Sequence, residues 1–143
     1  MNKDTISLLR ECHAGAKMGI KSIADVLDDV CNEHMRSILE DGKREHERIQ
    51  KETKKILCNQ EVESKEPDLM ASAMSWVKTN AKMAMDGSDQ TIANLITDGC
   101  NMGITSLNRY LNQYEQADHQ ARTFAKELIR AEEKMGKELR SYL

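Results

Sequence analysis

Residues 15–22, GAKMGIKS, return as residues 99–106, GCNMGITS, at one fixed offset that also sets Leu27 on Leu111. In each copy the two glycines stand four apart, so Gly15 and Gly19, and likewise Gly99 and Gly103, share one face of a helix. Around the first copy, Leu9, His13, Ala16, Ile20, Ile23 and Leu27 recur at spacings of four and three, the stripe of an amphipathic helix. The run begins near Thr5 and breaks over residues 28–32. Around the second copy, Ile92, Ile96, Leu107, Tyr110 and Tyr114 make an equivalent stripe, opened by Ser88 or Asp89 as the helix cap.

Each of these helices is followed by another. Met35, Ile38, Leu39, Gly42, His46, Ile49 and Ile56 form the stripe of a second helix that ends by Cys58. Ala121, Phe124, Leu128, Met135, Leu139 and Tyr142 form the stripe of a last helix, from about residue 117 to 142. With a slightly longer offset, Met35, Ile38, Ile49 and Ile56 fall on Ala121, Phe124, Met135 and Tyr142. The chain therefore reads as two copies of a helical hairpin, residues 5–58 and 89–143, within one domain. Amphipathic helices of this kind must bury their stripes against one another.

Composition agrees. The 143 residues are 39% hydrophobic but only 3% aromatic, with one proline, too few turn formers and β-branched or aromatic residues for an all-β domain. No stretch approaches the roughly 18 uncharged apolar residues of a membrane span. The start, MNKDTIS, has no apolar signal core, so a cytoplasmic protein is expected. A net charge of −3 gives no general attraction to nucleic acid or anionic lipid. Cys12, Cys31, Cys58 and Cys100 show neither zinc-ligand nor redox spacing and read as buried or half-buried thiols of a reducing compartment.

The link between the hairpins, residues 59–88, sets the topology. It opens with polar NQEVESKE, reaches Pro67, and then carries Leu69, Met70, Ala73, Trp76, Val77 and Ala84 at the spacing of a short helix. An up-down-up-down bundle needs only a short loop here, whereas a link of this length can climb the bundle and make the flanking long helices parallel.

Two hairpins joined in this way, with Gly99-Cys-Asn-Met-Gly-Ile in one long helix and Glu132-Glu133-Lys-Met, Leu139 and Tyr142-Leu143 at the end, resemble small bacterial ferritin-like proteins of unassigned function. The resemblance covers nearly the whole chain and rests on packing motifs. It implies an all-α, ferritin-like antiparallel four-helix bundle with a short extra helix in the long crossover.

Di-iron proteins of that architecture take a Glu from each of two helices and a Glu-x-x-His pair from each of the others. Here the residues three before His13, His34, His46 and His119 are Arg10, Cys31, Lys43 and Gln116, so the motif is absent. The weak candidates for a degenerate metal site are His13, His46, Asp98 and Glu132. Helical rise sets His13 and His46 within roughly 5 Å in height, with Asp98 and Glu132 on a second level roughly 6–13 Å away, a poor four-ligand set. The glycine pairs further suggest main chain packed into the space a cluster needs. His13 and His46 then read as satisfied interior histidines, bonded to each other directly or through water. Glu132 reads as solvated, and His34 and His119 as lying near helix starts without partner chemistry.

No phosphate-cradling loop, strained serine elbow or cysteine–histidine constellation points to catalysis. The basic residues Arg44, Arg48, Lys51 and Lys55, with Arg122, Lys126, Arg130 and Lys134, could line a face for an anionic partner. Interleaved Glu45, Glu47, Glu52, Glu127 and Glu133 make ordinary solvated faces the better reading. Trp76 with Met70, Met74, Met83 and Met85 either clamps the crossover or supports self-association, a homodimer being the commonest form. The expected function is thus a non-catalytic binding or structural one, without cofactor. The alternatives are a divergent iron-, manganese- or zinc-binding bundle and a self-assembling protein of the spore-coat kind.

Overall fold

The computed structural model describes residues 1–61 and 87–143. Those residues form four long helices, α1 (Lys3–Leu27), α2 (Glu33–Asn59), α3 (Asp89–Gln113) and α4 (His119–Leu139), and no strand. The last turn of α4 tightens into a 3-10 turn, Arg140–Tyr142, closed by the Leu143 amide on the Arg140 carbonyl, rather than continuing as α-helix to Tyr142. The expected short helix around Leu69–Ala84, with Pro67 and Trp76, lies outside the described residues. No helix among the described residues is long and apolar enough to cross a membrane.

Each helix begins where the sequence supplies a short polar side chain to take an amide that has no partner within the helix. Asn2 accepts from the Thr5 amide, Asn32 from Met35, Ser88 from Thr91 and Asp118 from Ala121. Asp89, the other residue able to cap α3, has a different task. Its two carboxylate oxygens accept the Cys31 and Asn32 amides at 2.8 and 2.9 Å, fastening the start of α3 to the corner between α1 and α2. Tyr142 donates to Asn32 at 3.3 Å and its ring lies 6.3 Å from that of His34, so the end of α4 meets the same corner.

At the opposite end, the Gln116 amide donates to Asp4 at 2.9 Å and the Asp118 amide to the Thr5 hydroxyl at 2.8 Å. The turn between α3 and α4 is thereby held against the start of α1. These ties give the directions: α1 and α4 run one way, α2 and α3 the other. The end of α2 and the start of α3 therefore stand at opposite ends of the bundle. α1 and α4 each pack against the other three helices, while α2 and α3 occupy the far diagonal.

The interior divides into two apolar clusters stacked along the bundle. One gathers Leu8, Leu9, Ile49, Leu57, Leu107, Leu111, Phe124 and Leu128. The other gathers Ile23, Val26, Met35, Leu39, Ile92, Ile96, Met135 and Leu139. On all four helices the boundary falls at the same level: Gly19 on α1, Gly42 and His46 on α2, Gly103 on α3 and Glu132 on α4. Burying leucines and isoleucines contributes about 1.5–3 kcal/mol each and dominates the stability, but it has no directional content. The polar ties at the ends supply direction.

Replacement Asp89→Ala removes both charge-assisted bonds at the corner. It is expected to lower unfolding stability by about 1–2 kcal/mol, read by urea titration, without loss of helical signal in the folded protein.

Candidate functional site

The level between the two clusters holds a buried ion pair. His46 is 0% exposed, and its Nε2 donates to Glu132 Oε1 at 2.6 Å, from α2 to α4. The other ring nitrogen, Nδ1, donates to the Gly42 carbonyl at 2.7 Å, one turn back along α2. With both nitrogens donating, the ring is an imidazolium whose counter-ion is the Glu132 carboxylate, itself 9% exposed. A thiol lies beside the pair: Cys100 of α3 is buried next to Glu132.

Two glycines border the pair, and one of them makes room for it. A Cβ on Gly19 would lie 2.3 Å from His46 Cδ2 and 2.7 Å from Nε2, so the imidazole packs closely against α1 at Gly19. A Cβ on Gly103 would lie 3.5 Å from Glu132 Cδ, an ordinary contact on the α3 side. Gly15 is different, for nothing stands within 4 Å of its Cβ position. The expectation that glycines bring main chain into the centre is therefore corrected. The space beside Gly19 and Gly103 is filled by side chains of each helix's own hairpin partner.

The electrostatics follow from this geometry. Burial opposes the charged form of His46, but the bond and charge of Glu132, the Gly42 carbonyl and the nearby Glu45 outweigh it, raising its pKa above 6.5. Burial, then the charge of the adjoining Glu132, push the Cys100 thiol far up, which keeps it from acting as a nucleophile. Cys12, buried beside Glu11, is pushed up to about 12. Burial and the adjoining Glu11 also raise Tyr110 to about 12.

The other candidates stand apart. His13 is buried, but its Nδ1 lies 3.2 Å from the Gln50 carbonyl and 3.3 Å from the Thr53 hydroxyl, not against His46. The hairpin register explains this: His46 faces Gly19, and His13 sits six residues below, about 9 Å away along α1. Asp98 is exposed on the outside of α3. The two-level arrangement expected for His13 with His46 and Asp98 with Glu132 is thus replaced by one pair, His46 with Glu132, and Glu132 is buried rather than solvated. Among the described residues, no group of three or more His, Cys, Asp or Glu side chains is arranged to hold a metal ion. His34 lies against Tyr142, while His119 is exposed at the start of α4. Cys31 and Cys58 are free and exposed, not half-buried.

A surface groove of about 380 Å³ runs between α2 and α4 over Gly42. Arg48 spans it, bonding Glu45 and Glu127 at 2.7 Å each, and Lys134 approaches Glu138 at 3.9 Å. Of the basic residues that could line a face, Arg44, Arg48 and Lys134 stand beside acids, in keeping with the solvated face read from the sequence. The chain matches no family model, no curated protein and no solved structure.

One signal for the pair was present in the sequence. The offset that sets Met35 on Ala121 also sets His46 on Glu132, two polar residues at equivalent places in otherwise apolar stripes.

Gly19→Ala is expected to destabilise by about 2 kcal/mol or more, because the ring it strikes is held at both nitrogens. Gly15→Ala, entering open space, should instead stabilise by up to about 1 kcal/mol through helix propensity; urea titration of both variants reads the contrast.

Because His46 has a raised folded-state pKa, its contribution is complete below pH 6.5 and is lost as pH rises through the folded value. The gap in melting temperature between the native chain and His46→Gln should therefore be widest near pH 6.5 and shrink at higher pH. A constant gap across that range would contradict the pairing.

Proposed function

We propose that this chain is a ferritin-like helical bundle with a non-catalytic, binding or structural role, in which an internal ion pair stands where a metal centre would otherwise lie. Parallel α2 and α3, and two hairpins packed side by side, support the architecture. The observation that carries the role is the 2.6 Å bond between His46 and Glu132. The side chains best suited by type and burial to ligate a metal are each other's partners, and a cation would have to displace the imidazolium proton and break that bond. Full burial of the ring also keeps it from any substrate in solution. Exposed, free Cys31 and Cys58 favour a reducing compartment such as the cytoplasm. Pairing of Arg48 with Glu45 and Glu127 favours a solvated face over a nucleic-acid surface.

Elemental analysis of protein produced in medium supplemented with iron, manganese and zinc tests this reading. The expected result is no stoichiometric metal after gel filtration, and no rise in melting temperature on adding each ion. Stoichiometric metal that disappears in His46→Ala would overturn it.

A further inference from the structure

We propose that the His46–Glu132 pair decides which hairpin packs on which: the α1–α2 and α3–α4 hairpins present like-built faces, and the unlike side chains at their centres make each accept the other and reject its own kind.

The faces correspond position by position. The offset carrying residues 15–22 onto 99–106 sets Leu8 on Ile92, Cys12 on Ile96, Ala16 on Cys100 and Ile23 on Leu107, all buried. The offset relating α2 to α4 sets Ile38 on Phe124, Leu39 on Ala125 and Ile49 on Met135, again all buried. At the centre of each face a glycine of the first helix receives a polar side chain of the second: Gly19 receives His46, and Gly103 receives Glu132.

Apolar contacts discriminate poorly between two such faces, because burial is non-directional and cores tolerate volume-conserving exchange. Charge discriminates well. Two α1–α2 faces would oppose imidazole to imidazole, and two α3–α4 faces would oppose carboxylate to carboxylate, inside a layer closed above and below by leucine and isoleucine. An uncompensated charge there is strongly destabilising, whereas the unlike pair is satisfied. One difference between the faces bears on the strength of the effect. Cys100 sets a polar thiol beside Glu132, while the equivalent Ala16 carries only a methyl group. Reversal of the pair should therefore be tolerated but not neutral. The inference rests on the metal-free pair of the reading above; stoichiometric metal held through His46 would fail that reading, whereas a failed double exchange in metal-free protein fails this inference alone.

The test uses the full chain in three forms, His46→Glu, Glu132→His, and the double exchange, with melting followed by circular dichroism at neutral pH. Each single variant should lose roughly 10 °C or more in melting temperature, and the double should recover more than half of the combined loss. A single variant that fails to fold beside a double that folds carries the same meaning. A double variant that is unfolded, or no more stable than the weaker single, overturns the proposal, since a pair fitted to one orientation alone does not survive reversal.

Discussion

One short bond, from a fully buried imidazolium on α2 to a carboxylate on α4, organises the middle of this bundle. A charge in an apolar interior is tolerated only when a counter-charge and its remaining hydrogen-bond partners are in place. His46 has Glu132 on one nitrogen and the Gly42 carbonyl on the other, and the buried Cys100 thiol of α3 lies beside Glu132. That requirement ties three helices to one geometry. The fourth, α1, enters through Gly19, whose missing side chain is what lets the ring lie where it does.

The layer also explains the division of the core. Leucine and isoleucine above and below could slide against their neighbours with little change in buried area, because the hydrophobic effect counts area and not partners. A single polar layer removes that freedom, since a shift of one turn would part Nε2 from Oε1 and leave both buried without a partner. Register is fixed again at the two ends, by Asp89 on the Cys31 and Asn32 amides and by Asp4 and Thr5 on the turn before α4. These ends carry the topology, for they set α2 and α3 parallel.

Much of the fold was legible in the sequence. Stripes at spacings of three and four located every described long helix to within a few residues, since burial of one face demands that period. Ser88, offered with Asp89 as a cap, marks a helix start by chemistry that acts over three residues; Asn2, Asn32 and Asp118 do the same without having been singled out. The site was legible only in part. His13, His46 and Glu132 all fall on buried positions, yet the partnership was misread, because heights estimated from helical rise assumed a hairpin register several residues from the true one. An error of that size separates His46 from Glu132 and brings it to His13. Asp98 was misplaced for a simpler reason: the edge of a stripe is as often outside as in.

The amino-acid sequence alone thus determined the helices, their caps and the faces they bury, since all of these arise from local spacing and short-range hydrogen bonding. Tertiary structure alone decided that His46 meets Glu132, that Gly19 and Gly103 receive side chains rather than backbone, and that Cys100 is buried beside the pair. Those contacts join residues far apart in the chain, and their register depends on how whole helices settle against one another, a sum of many non-directional contacts that no local pattern records.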